Sequence, residues 1–165
     1  MKALFLDHDG VICLSSEWGS RFKNKEGLDS VFDRFNDKAI KVLNQIIEET
    51  DCEIVISSDW RFHATLAQMQ DLYAIRGIKK VPIAYTRNDL DWKLFKDVHP
   101  GNELEITRCL EIENWIKEHP EITHWVAVDD MDLSRLDHFV QTPRSSEGIK
   151  QSGVKEKIIK YLKND

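Results

Sequence analysis

Two aspartates one residue apart, Asp7 and Asp9, end the apolar run ALFL at residues 3–6. Neighbouring carboxylates repel each other, and burying either one unpaired is costly. A cation, a set of backbone donors or both are therefore expected beside them. Two later apolar runs stop on polar residues in the same way. EIVI ends on Ser57 and Ser58, and WVAV ends on Asp129 and Asp130, with Asp132 two residues further on. In an open α/β sheet the ends of parallel strands share one edge, and the functional crevice lies beyond them. Carboxylates distant in sequence would meet there, and a cluster of oxygen donors suits a hard cation, which makes Mg²⁺ the expected cofactor. A serine hydroxyl with loop N–H groups beside it suits a phosphate. Asp7 closes its strand and is placed to attack phosphorus as a nucleophile. Asp9 lies on the turn that Gly10 permits, where it can protonate a leaving alcohol and later take a proton from water. Two carboxyls in separate environments can hold the separate protonation states such a mechanism needs.

The elements that must position these residues follow from periodicity. Short apolar runs alternate with amphipathic stretches, the pattern of a parallel sheet with helices on its faces. Strands are predicted over 3–7, 53–58, 81–86, 123–130 and 137–142, with Pro82 suiting an edge. A helix capped by Asn36 or Asp37 carries Ala39, Ile40, Leu43, Ile46 and Ile47 on one stripe. A second is predicted from about Arg61 to Arg76, stopped by Gly77, with Leu66, Met69, Leu72 and Tyr73 inward. RCLEIENWIKEH (108–119) is amphipathic through Leu110, Ile112, Trp115 and Ile116, and SGVKEKIIKYLKN (152–164) forms a last helix. The expected fold is a single three-layer α/β/α, Rossmann-like domain over residues 1–165, with a mainly parallel five-stranded sheet. Residues 11–35 and 87–107 are expected to be lid or loop excursions.

Composition sets outer limits. With 165 residues, 41% hydrophobic and 32% charged, the chain can bury a proper core and is not of disordered composition. A formal net charge of −6 argues against a generally basic nucleic-acid binder while leaving room for a local positive groove. Cys13, Cys52 and Cys109 are far apart and contain no CxxC pair, which disfavours a zinc site or a disulfide framework. No run approaches the roughly 20 apolar residues of a membrane span, and the first apolar run is too short for a signal peptide. The expectation is a soluble cytoplasmic protein with no membrane association and no stable protein partner.

DHDGV resembles the DxDGx(T/V) first motif of the haloacid dehalogenase (HAD) superfamily, whose members are mostly Mg²⁺-dependent phosphohydrolases. IVISS is similar to its second motif and VAVDD to its fourth, in the same order along the chain. More narrowly, SSDWR (57–61), EIENWI (111–116) and FVQT…EGI (139–149) resemble a small subgroup with little or no cap, to which a domain of RNA-repair proteins is related. The resemblance implies Asp7 as nucleophile, Asp9 as general acid/base, and Ser57 as a donor to the phosphoryl oxygens. It implies that Asp130 binds Mg²⁺ with Asp7 and the carbonyl of Asp9, supported by Asp129. The third motif usually carries a lysine. Here Arg108 stands in its place, keeping the charge and adding a planar fork, while Lys93 and Lys96 are alternatives. The candidate phosphate contacts are thus Ser57, Ser58, Arg108 and Gly10, and the candidate metal residues are Asp7, Asp9, Asp130 and Asp129. Whether Asp132 reaches the metal is open.

Several of these residues have plainer roles to play. His8 alternates away from its neighbours and is expected to pack. Ser58 can cap the following helix, Trp60 can pack at the crevice margin, and Arg61 serves either an anion or a salt bridge. Arg21, Lys23 and Lys25 form a solvated face or a basic rim. The reading is a phosphomonoesterase working through an aspartyl-phosphate on an unidentified phosphorylated substrate, a small molecule, a nucleotide or a nucleic-acid end. A catalytically idle binding module is the alternative, though a mere binder has no use for Asp9. A phospho-receiver domain is disfavoured because its third strand would end in aspartate, and VPIAYT ends in Thr86.

Overall fold

Residues 3–6 alternate strictly between two hydrophobic clusters. Leu4 and Leu6 enter one, Ala3 and Phe5 the other, as a strand covered on both faces must. In the computed structural model, which describes residues 1–14, 34–87, 89–90, 93 and 99–163, this strand, β1 (Lys2–Leu6), is the centre of a five-stranded sheet. It is followed by α1 (Asp37–Thr50), β2 (Glu53–Ile56), a 3₁₀ turn (Asp59–Phe62), α2 (Leu66–Ile75) and β3 (Pro82–Tyr85). Then come α3 (Glu103–Glu118), β4 (His124–Asp129), β5 (Phe139–Gln141), a second 3₁₀ turn (Gly148–Lys150) and α4 (Val154–Lys163). The strand order is β3-β2-β1-β4-β5, and every pairing is parallel.

That order fixes where a site can form. The chain steps outward from β1 to β2 to β3, then returns across β1 to β4. Crossovers between parallel strands are right-handed, so reversing direction moves the connecting helix to the opposite face. Accordingly α1, α2 and α4 bury Leu43, Met69 and Ile158 against the face of Leu4 and Leu6, while α3 packs Cys109, Ile112 and Trp115 on Phe5. The reversal leaves a crevice between the carboxyl ends of β1 and β4, the position where ligands bind in such sheets. Leu6 pairs with Ile56 on one side and Val128 on the other. Asp7, Ser57 and Asp129 therefore emerge side by side.

The sheet and all four helices agree with the α/β expectation, and β3, which begins at Pro82, is an edge strand. Asn36 is the cap of α1, its side chain accepting from the N–H groups of Lys38 and Ala39 at 3.1 Å. Two boundaries are corrected. α3 starts at Glu103, so 103–107 are helical and not part of the expected 87–107 excursion. The helix expected from Arg61 is broken. The chain makes a 3₁₀ turn at 59–62 and restarts at Leu66, where Thr65 and Gln68 form a reciprocal capping box. That T-x-x-Q spacing is visible in the sequence and marks a helix start. Of the 11–35 excursion, only 11–14 and 34–35 are among the described residues, and Arg21, Lys23 and Lys25 lie outside them. No described helix is long and apolar enough to cross a membrane.

Candidate active site

The turn after β1 is held by its own backbone. The N–H groups of Val11, Ile12 and Cys13 all donate to the carbonyl of His8, at 3.1, 3.0 and 2.7 Å. Gly10 sits at φ +75, and a Cβ there would lie 2.6 Å from Asp130. Glycine thus serves both the left-handed turn and the close approach of β1's loop to the end of β4. Behind the same loop, Gly148 comes so near Leu14 and the Val11 carbonyl that a side chain would overlap both.

This packing brings oxygen atoms of Asp7, Asp129 and Asp130 within 4.8 Å of one another. Asp7 is 4% exposed, Asp129 fully buried and Asp130 9% exposed. Arg108, from the buried side of α3, reaches in with Nη1 3.2 Å from Asp7 Oδ1 and 2.8 Å from Asp129 Oδ2, while Nη2 meets Asp59 at 2.7 Å. Burial first, then the charge of Asp129, holds the Asp7 carboxyl well above the usual carboxylate range, and Arg108 only partly offsets this. Burial likewise raises Asp129 against the pull of Arg108. Burial works against the Arg108 charge, but Asp7, Asp129 and Asp59 outweigh it and raise its pKa. Arg108 and Arg144, whose Nε lies 2.8 Å from Asp130 Oδ2, are two guanidiniums facing four carboxylates, those of the triad and Asp59, which leaves a deficit of positive charge. A donor set made wholly of carboxylate oxygens fits a hard divalent cation.

Asp9 is not among the three clustered carboxylates, though its charge still bears on Asp7. Its Oδ2 accepts from the indole Nε1–H of Trp60 at 3.2 Å. Ser57 is buried beside Asp7. Ser58 is buried, and its Oγ accepts from the Trp60 N–H at 3.3 Å and caps the 3₁₀ turn, which leaves its O–H as a donor. Arg61 is a structural ion pair, its Nη2 2.7 Å from Glu111 with both side chains buried. Asp132 is exposed, and its carboxylate accepts from the Ser134 N–H at 2.9 Å, outside the triad. Lys93 is exposed, and Lys96 lies outside the described residues. His8 is buried, its Nε2 2.7 Å from the Tyr73 hydroxyl, and burial, then Arg108, lowers its pKa to about 3.

Sequence reasoning missed Arg144, whose Nε donates to Asp130 Oδ2 at 2.8 Å, and Asp59 on Arg108. It also missed the donation from Thr142 Oγ1 to the Gly10 carbonyl at 2.9 Å. Nothing local signals these contacts, since each joins segments far apart in sequence. A cleft of about 510 Å³ opens beside Asp130, with Asp132, Thr142 and Arg144 among its walls.

The short motifs thus meet in space. Arg61 of SSDWR pairs with Glu111 of EIENWI, Thr142 of FVQT holds the DHDGV loop, and Gly148 of EGI packs behind it. A family model described as the HAD domain in Swiss Army Knife RNA repair proteins matches residues 3–154. The chain belongs to this family. The match spans β1 through the first residue of α4, so every element of this HAD domain's site lies within it. Comparison with curated proteins and with solved structures finds no significant match.

Proposed function

We propose that this HAD domain is a Mg²⁺-dependent phosphomonoesterase that carries the phosphoryl group on Asp7. The observation that supports the reading best is the buried triad of Asp7, Asp129 and Asp130 with Arg108 lodged against it. Asp7, Asp130 and Asp129 would hold the cation, with the Asp9 carbonyl as the resemblance implies. A nucleophile has to be ionised, and burial opposes ionisation of Asp7. Bound Mg²⁺ supplies the missing positive charge and neutralises phosphoryl oxygens.

The remaining chemistry belongs to the chain's own residues. The Asp7 carboxylate forms a bond to phosphorus as the bond to the leaving oxygen breaks, and Asp9 gives that oxygen its proton. Asp9 then takes a proton from water as the water oxygen attacks phosphorus and the bond to Asp7 breaks. Arg108 stays charged throughout and spreads its fork over the developing negative charge, and Ser57 donates to a phosphoryl oxygen. The proposed setting is the cytoplasm, in keeping with three buried cysteines that form no disulfide.

The substrate is a phosphomonoester, and the family's RNA-repair description directs attention to nucleotides and nucleic-acid ends. Phosphate release is measured on a panel running from an aryl phosphate through nucleotides to 5′- and 3′-phosphorylated oligonucleotides. Release that needs Mg²⁺ and falls at least about 10³-fold in Asp7→Asn supports the reading. No release from any member by folded protein that binds Mg²⁺ favours a binding module.

A further inference from the structure

Trp60 has a packing residue's burial, at 3% exposed, yet it spends its one polar atom on a catalytic candidate. We propose that Trp60 is a positioning residue for Asp9: its indole N–H, locked in a rigid aromatic stack, fixes the rotamer from which Asp9 delivers its proton to a poor leaving group. The inference rests on the reading of Asp9 as general acid/base.

Three observations carry it. The first is chemical. Indole Nε1–H donates and never accepts, so its 3.2 Å bond to Asp9 Oδ2 is compatible with both the ionised and the protonated carboxyl. An oxygen engaged as an acceptor in this way directs the acidic proton to the other oxygen, Oδ1. The same contact can persist through both half-reactions, in which Asp9 first loses a proton to the leaving oxygen and then gains one from water. A serine or amide partner could rotate and accept instead, which would trap the proton.

The second observation is rigidity. The Trp60 ring stacks on Phe35, with centroids 5.3 Å apart and an interplanar angle of 19°, and meets the edge of His8 at 4.9 Å and 79°. His8 is tied in turn to the Tyr73 hydroxyl at 2.7 Å.

The third is placement. Ser58 caps the 3₁₀ turn that carries Trp60, and from that turn the indole reaches Asp9 on the loop after β1. The chain then starts a new helix at Leu66 under the Thr65 cap.

The test separates chemistry from folding by the leaving group. An aryl phosphate with an acidic phenol leaves without a proton, whereas an alkyl phosphate needs one. The ratio of kcat/KM values reports the first phosphoryl transfer alone. Trp60→Phe keeps a stacking ring and removes the N–H. The expected result is a loss on the alkyl ester exceeding that on the aryl ester by at least about tenfold. The same split is expected in Asp9→Asn, and no further split when both changes are combined. Equal losses on the two esters, or additive effects in the double variant, overturn the inference and leave the phosphatase reading standing. A wild-type protein inert toward both esters defeats that reading and the inference with it. If Trp60→Phe does not fold, benzothienylalanine at position 60 replaces it, keeping the fused ring and lacking only the N–H, and is judged by the same ratio.

Discussion

Burial favours the neutral form of the Asp7 carboxyl. Its raised pKa means that ionising it costs more in the folded protein than in the unfolded chain. In a chelator, the stability tied to the neutral carboxyl is present at low pH and is lost as pH rises through the folded value. Asp7→Asn is therefore expected to raise the Tm of the metal-free protein at neutral pH while abolishing turnover. A scanning-calorimetry comparison in chelator checks this, and a lower Tm would count against it. His8 behaves in the opposite sense. Its folded pKa of about 3 lies below the ordinary 6.5, so its contribution is complete above pH 6.5. As pH falls from there toward 3, the unfolded histidine takes a proton that the folded one refuses. The slope is at most about 1.4 kcal/mol per pH unit. His8→Phe is expected to flatten the stability profile across that window in urea titrations, and an unchanged slope would reject the assignment.

At the level of elements, two contacts knit the site together, and each has a natural control. Arg61 and Glu111 join the 3₁₀ turn to α3, with side chains 5% and 3% exposed. Glu111→Ala strands a buried guanidinium and is expected to cost about 3–5 kcal/mol. Breaking the half-exposed Lys79–Glu48 pair should cost less than about 1 kcal/mol. Urea denaturation of both variants checks the contrast. Gly10 joins the β1 loop to Asp130. Gly10→Ala adds left-handed strain and drives a methyl into Asp130, whereas Gly77→Ala, at φ +72 with nothing within 4 Å, adds strain alone. Only the first is expected to weaken Mg²⁺ binding in calorimetric titration, by displacing a ligand. These contacts also show what the sequence disclosed. Strand ends, the α1 cap and the stripe of α1 are local patterns and were legible. The break between Ser58 and Thr65 was less so, because Leu66, Met69 and Tyr73 continue the helical period while two capping side chains compete for the backbone.

For the molecule as a whole, the strand order β3-β2-β1-β4-β5 turns three separate polar strand ends into one site. The alternating pattern and the paired acids made both the fold and the triad readable, since parallel strands of similar length must end together. Which partner each side chain takes was not readable. The contacts of Trp60 with Asp9, Arg144 with Asp130 and Asp59 with Arg108 depend on the exact offset of strands and helices rather than on spacing along the chain. The mechanism as a whole rests on phosphorus becoming bonded to Asp7. The most direct test is to quench the protein in acid during turnover of a phosphomonoester and locate the phosphoryl group by peptide mass spectrometry. The mechanism predicts a phosphoryl group on Asp7 that appears with Mg²⁺, is absent in chelator and is lost in Asp7→Asn. Wild-type turnover retained by Asp7→Asn, or a phosphoryl group found on a different residue, would contradict it.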